Sequence, residues 1–155
     1  MKDDDRIWYE KTVGAERKLW GEGPWSNEPD RVEWRHCGLP CLMLRGDGGA
    51  WCGYVGVPPG HPLYDKPDAS DDLAAHGGIN FTARCRGAIC HVPEPGEPED
   101  VFWFGFDCAH ARDRKPIESS PLFAAFPLAG VRVYRAVAFV KREVERLAEQ
   151  IKERG

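Results

Sequence analysis

The stretch LPCLMLRGDGGAWCGYVGV, residues 39–57, constrains the fold more than any other segment. Two apolar runs, Leu39–Leu44 and Ala50–Val57, flank the short polar segment RGDGG. Gly and Asp supply the positive φ angles of a tight reversal, so the runs are expected to pair as a β-hairpin. A two-stranded hairpin is at best marginal by itself in water, so this one needs further strands and a cover.

Other segments supply them. Val101–Phe106, VFWFGF, is apolar on both faces and predicts a central strand. A third strand is expected near Ile79, in HGGINFTARC. Near the C-terminus, Val137, Val140, Val144, Leu147 and Ile151 recur at steps of three and four. That spacing puts them on one stripe of a helix, with Lys141, Arg142, Glu145 and Arg146 mostly facing away. Only about two heptads are present, so the stripe reads as a sheet-packing face rather than a coiled coil. Residues 5–19 also suggest a helix, with Trp8, Ala15 and Leu19 near one face, although Gly14 weakens it. GEGPWSNEPD, PPGHPLYDKPDASDD and HVPEPGEPED read as loops, because their prolines remove backbone donors. RDRKPIESSPLFAAFPLAG looks irregular, with some apolar packing.

The expected fold is therefore α+β: one domain, 1–155, with a mainly antiparallel sheet of about four or five strands. Residues 1–35 would be a peripheral helix and loop, 36–110 the sheet core, and 131–153 the C-terminal amphipathic helix that packs on it. A 42% hydrophobic content in 155 residues suits such a core and is too high for a disordered segment. The net charge of −4 argues against a duplex nucleic acid partner, which would call for a clustered basic face. No apolar run has the length of a membrane span. The start, MKDDDRIWYE, is acidic and has no apolar h-region, so a cytoplasmic location is expected.

In that compartment the six cysteines are expected to be reduced. CGLPC is a C-x3-C pair, and CRGAIC is a C-x4-C pair followed by His91. Two such pairs can build a zinc site, and buried inert thiols are the plainer alternative. Asp68, Ser70 and Asp72 mimic the start of a calcium loop, but Leu73 and Ile79 stand where that loop needs Gly and Glu.

Residues able to carry chemistry gather at expected strand ends, where a rigid sheet fixes groups that a loop leaves accessible. PPGHPLY brings His61 and Tyr64, HGG brings His76 before Gly77 and Gly78, and FDCAHARD brings Asp107, His110 and Asp113. Two glycines after His76 allow a ligand or another backbone to come close. Asp107 follows a strand apolar on both faces, so its carboxylate must be hydrogen-bonded, paired or metal-bound. His76, Asp107 and His110 form the candidate catalytic set. Two imidazoles and a carboxylate can ligate a divalent metal, or act without one as base, orienting acid and electrophile. Equally, Asp107 could only cap its turn, with His76 a turn residue and His110 a surface imidazole. Cys108 beside His110 suggests a thiol nucleophile, but its strand position predicts burial, which disfavours the thiolate.

Four blocks together resemble a family of small uncharacterised proteins of phages and bacterial genomes. They are GYVGVPPGHPLY, HGGINF, ICHVPEPGEPEDVFWFGFDCAHARD and YRAVAFVKREVERLAEQI, within residues 50–151. The family pattern has a GHPLYG block, an HGGLT(F/Y) block, a GFD-x-x-H-x-GD block and a C-terminal LAEQL helix. It falls on His61, Tyr64, His76, Gly77, Gly78, Asp107, His110 and Asp113. The chain departs from it at Asp65, at Ile79-Asn80 and at Arg112, which stands directly before Asp113. The resemblance implies a phage or prophage accessory protein and carries no established activity. His61, Tyr64, Gly77, Gly78 and Asp113 join the candidate set as ligand-binding residues.

Two classes of function stay open. One is an enzyme for hydrolysis or group transfer on a small phosphorylated or nucleotide-like substrate, with or without a divalent metal. The other is a non-catalytic protein that sequesters a nucleotide signal or binds a host protein.

Overall fold

The computed structural model describes residues 6–8, 16–93, 95–125 and 130–155. Six strands form one antiparallel sheet: β1 (Arg6–Trp8), β2 (Arg31–His36), β3 (Leu39–Arg45), β4 (Trp51–Val57), β5 (Phe81–Arg84) and β6 (Phe102–Asp107). Their order is β1-β2-β3-β4-β6-β5. Two helices follow, a single turn α1 (Pro121–Ala124) and the long α2 (Val137–Glu153). The architecture is the expected α+β arrangement, an antiparallel sheet packed by a C-terminal helix.

The hairpin forms as its sequence predicts. β3 and β4 pair from Cys41↔Val55 to Arg45↔Trp51, and Gly48 reverses the chain at φ 69°. β6 lies between β4 and β5 and is covered on both faces, with Phe104 and Phe106 in the layer of α2 and Trp103 in the opposite one, which is why it is apolar on both. Alternation then sorts the side chains into two layers. Val32, Trp34, Met43, Val55, Phe104 and Phe106 belong to the layer that meets Val140, Val144, Leu147 and Ile151 of α2. Leu42, Leu44, Tyr54, Val101 and Trp103 pack on the opposite face, against Phe81, Cys85 and Ile89. Gly53 sets how closely α2 approaches, since a Cβ there would lie 2.5 Å from Val144 Cγ2 and 2.6 Å from Phe106 Cζ.

Three expectations need correction. Arg6–Trp8 is an edge strand and not part of a helix, with Arg6 opposite Glu33; residues 9–15 lie outside the described residues. The unpaired edge of β2 offers a ladder that the weak helical pattern cannot match. Arg31–His36, expected in the periphery, is a full strand between β1 and β3. Its charged residues are buried because they clamp a loop: Arg31 donates to Ala88 O and Cys90 O, both at 2.7 Å, and Glu33 accepts the Val92 N–H at 2.9 Å. Finally, Cys85 and Cys90 are joined as a disulfide, so not all six cysteines are thiols.

One buried charge cluster ties these pieces together. The Arg45 side chain is fully buried and donates to Asp30 Oδ1 at 3.4 Å, Gly49 O at 3.1 Å and Tyr134 Oη at 2.6 Å. Its guanidinium lies 3.9 Å from the centre of the Trp51 ring. Arg17 pairs with the same Asp30 at 2.8 Å. Glu28 Oε1 meets Arg45 at 3.4 Å, and its Oε2 accepts the Val137 N–H at 2.9 Å, capping the start of α2. At the other end of α2, His61 Nδ1 accepts the Leu63 N–H, so its Nε2 donates to Ile151 O at 2.9 Å.

Gly53→Ala is expected to destabilise the fold by about 1–3 kcal/mol through overpacking, read as a lowered urea midpoint. Arg45→Ala should cost about 3 kcal/mol, because Glu28 loses its cation and the buried Asp30 is left with Arg17 alone. An unchanged midpoint in Arg45→Ala would refute that reading.

Candidate functional site

The candidate cluster lies where β6 ends. Asp107, its last residue, accepts the Ala109 N–H at 3.2 Å and the Asn80 side-chain amide at 2.8 Å. It therefore caps its turn and also reaches the HGG segment. His110 Nε2 stands 3.3 Å from Asp107 Oδ1. Three residues on, Asp113 N–H donates to His110 O at 2.9 Å, and His110 N–H donates back to Asp113 Oδ2 at 3.1 Å. This compact turn points the Asp113 carboxylate inward, where only 1% of its side chain is exposed.

Asp113 is the hub. It binds His76 Nε2 at 2.9 Å through Oδ2, and Arg135 Nε at 2.8 Å through Oδ1. Burial pushes its carboxyl up, but the bonds from Arg135, His76 and the His110 amide outweigh that and hold it below the usual carboxylate range. An ionised carboxylate can only accept, so His76 carries its proton on Nε2 and, when neutral, keeps its lone pair on Nδ1. The His76 ring meets His110 edge-on at 5.8 Å and Phe139 at 5.3 Å. The Arg135 guanidinium lies over the Phe139 ring, 5.1 Å from its centre.

Gly77 explains how the two histidines come so close. It adopts φ 71°, and a Cβ there would sit 2.0 Å from His110 Nε2. Only glycine fits both the backbone angle and the space. Gly78 also has a positive φ, 88°, but nothing crowds its Cβ position, so its role is in the turn.

Thus His76, Gly77, Asp107, His110 and Asp113 come together, as two imidazole–carboxylate pairs joined by a T-shaped contact of the two rings. His61 and Tyr64 are placed elsewhere. His61 closes the end of α2, and Tyr64 bonds Asp100 beside Phe102 and Arg84. As a metal site the expected trio is not assembled. Among the described residues, three ligand atoms all lie within 4.8 Å of one another at Cys85, Cys90 and His91, and not at His76, Asp107 and His110.

Three participants were not visible in the sequence. Asn80 ties the HGG segment to Asp107, Phe139 backs the His76 ring, and Arg135 anchors Asp113. Arg135 arrives because residues 112–114 and 132–134 run side by side: Val133 N–H donates to Arg112 O and Arg114 N–H to Val133 O, both at 2.8 Å. Beside this pair of segments opens a cleft of about 530 Å³ lined by Ala111, Arg112, Gly130, Val131, Val133 and Arg135. The two arginines give its wall positive charge.

The nearby thiols are poorly suited to nucleophilic work. Burial pushes Cys108 up strongly, and burial with the Asp107 charge pushes Cys52 up to about 11. No family model, curated protein or solved structure matches the chain. Among the described residues, no helix is long and apolar enough to cross a membrane.

Asp113→Asn should cost about 3 kcal/mol at neutral pH, since Arg135 loses a buried counter-charge. Because the folded carboxyl titrates below its unfolded value, its contribution is present above the unfolded value and fades as pH falls through the folded one. The wild type should therefore lose its advantage over Asp113→Asn below about pH 4, as measured by denaturation at stepped pH. A gap between the two proteins that stays constant into acid would contradict the pairing.

Proposed function

We propose that the protein is a phage- or prophage-type accessory protein with a small-molecule site at the His76–Asp113 pair. There it would carry out hydrolysis or another group transfer on a small phosphorylated or nucleotide-like substrate. The observation that carries this reading is the buried Asp113, which fixes His76 in one tautomer and one orientation beside a second imidazole–carboxylate pair. An imidazole so held is suited to general-base work, because its free Nδ1 can take a proton while the carboxylate stabilises the imidazolium that results.

The geometry supports the following roles. His76 Nδ1 would accept the proton of an attacking water or hydroxyl. His110, paired with Asp107, would orient that nucleophile or donate to the leaving group. Arg112 and Arg135, in the wall of the adjoining cleft, would hold the phosphate, and Arg135 would couple phosphate binding to the position of Asp113. The accessory role rests on the motif resemblance of residues 50–151.

A second reading is binding without turnover, in which the same cleft sequesters a nucleotide or a host protein segment. The observation favouring it is that Asp113 is already satisfied by three donors and Asp107 by two, a pattern that also suits a rigid recognition surface.

A thermal-shift screen against nucleotides and phosphorylated small molecules, with mass analysis of the recovered ligand, separates the two. The enzymatic reading expects a stabilising ligand that is recovered cleaved or transferred. It also expects His76→Ala to lower kcat by about 100-fold or more, and Arg112→Ala to raise KM chiefly. A stabilising ligand recovered intact favours sequestration, and full turnover in both His76→Ala and Asp107→Ala would sink the catalytic assignment.

A further inference from the structure

We propose that Cys85, Cys90 and His91 form a second site, for a borderline-soft divalent cation such as Zn²⁺, which becomes available when the Cys85–Cys90 disulfide is reduced. The ligand atoms of the three residues already lie within 4.8 Å of one another. Two thiolates and an imidazole are the donor set that selects zinc over hard cations.

The arrangement does not depend on the disulfide alone. The turn between the cysteines is closed by Arg86 N–H to Ile89 O at 3.0 Å and Ile89 N–H to Arg86 O at 2.9 Å, with Gly87 at φ 56°. Arg31 holds Ala88 O and Cys90 O from below, and Glu33 holds the Val92 amide. Both anchors are side chains of β2, so the peptide on either side of Cys90 and His91 stays pinned when the sulfurs separate. The buried Trp103 adds a second-layer contact. Its indole N–H donates to Cys85 Sγ at 3.3 Å, and its ring meets His91 edge-on at 5.6 Å. An N–H aimed at a sulfur stabilises the thiolate that a metal needs, and outer contacts of this kind tune metal affinity.

Two equivalents of a small glutathione-type thiol deliver two electrons and two protons; the Cys85–Cys90 bond breaks, and a small-molecule disulfide leaves. Binding of Zn²⁺ then displaces the two thiol protons. Among the described residues no fourth thiol, imidazole or carboxylate joins the trio. With these three ligands, a tetrahedral ion takes its fourth from water or another donor. Oxidation and metal loading exclude each other at these sulfurs.

The full chain reduced with a phosphine and titrated with Co²⁺ tests the site, with Zn²⁺ as competitor. The expected result is one equivalent of tetrahedral Co²⁺ with a thiolate charge-transfer band, displaced by Zn²⁺ and absent from diamide-oxidised protein. Cys90→Ser should abolish the band, Trp103→Phe should weaken binding by about 10-fold or more, and Cys37→Ser should leave it unchanged. Circular dichroism would confirm that each variant is folded. Absence of the band from reduced wild type, or a band retained in Cys90→Ser, overturns the proposal.

Discussion

Arg45 is the charge around which the molecule is arranged. Its guanidinium, at the end of β3, has no access to water and is neutralised by Asp30 and Glu28 from the segment before β2. Burying an ion is costly unless every donor is used, and here carboxylates, carbonyls, a phenol and an indole face share the work. Glu28 then extends the arrangement to the first amide of α2. The edge of the sheet, the irregular N-terminal stretch and the start of the long helix are thereby fixed to one another. Arg135 sits two residues before that amide. The same cluster that starts the helix therefore sets where the Asp113 counter-charge can stand.

The two faces of the sheet are covered by different means. On one, α2 packs in the ordinary way, with an apolar stripe against aromatic and aliphatic side chains. On the other, no helix is found among the described residues, and residues 85–93 and 95–97 lie across the strands. They are held by the buried charges of β2, by the apolar contacts of Cys85 and Ile89 and by the disulfide. A loop acts as a layer here because its backbone polar groups find side-chain partners in place of a ladder.

How much of this could be read from the chain depends on what kind of signal each part leaves. The hairpin of β3 and β4, the β6 strand and α2 bury apolar residues at the spacing of their own secondary structure, so they were legible. β2 was not, because the three charges in RVEWRH resemble a solvated surface and are in fact buried clamps. Edge strand β1 was hidden by a competing helical pattern. In the site, His76, Asp107, His110 and Asp113 were legible as polar residues stranded at strand ends. Their pairing was not: Asp113, and not Asp107, takes His76, since the turn at His110 swings it inward. His61 and Tyr64 share the same motif blocks but serve the helix end and a surface pair. Arg135 and Asn80 left no spacing signature, because a salt bridge or amide contact across the fold has none.

The Asp113 hub also bears on the order in which the chain assembles. Its partners are 37 residues upstream, at His76, and 22 residues downstream, at Arg135. Neither contact exists in any locally folded fragment, and both loops must close before the carboxylate is satisfied. During synthesis, Arg135 is made last of the three, so until it emerges the acid lacks its cation. The cluster is thus completed only when the segment that carries Arg135 docks.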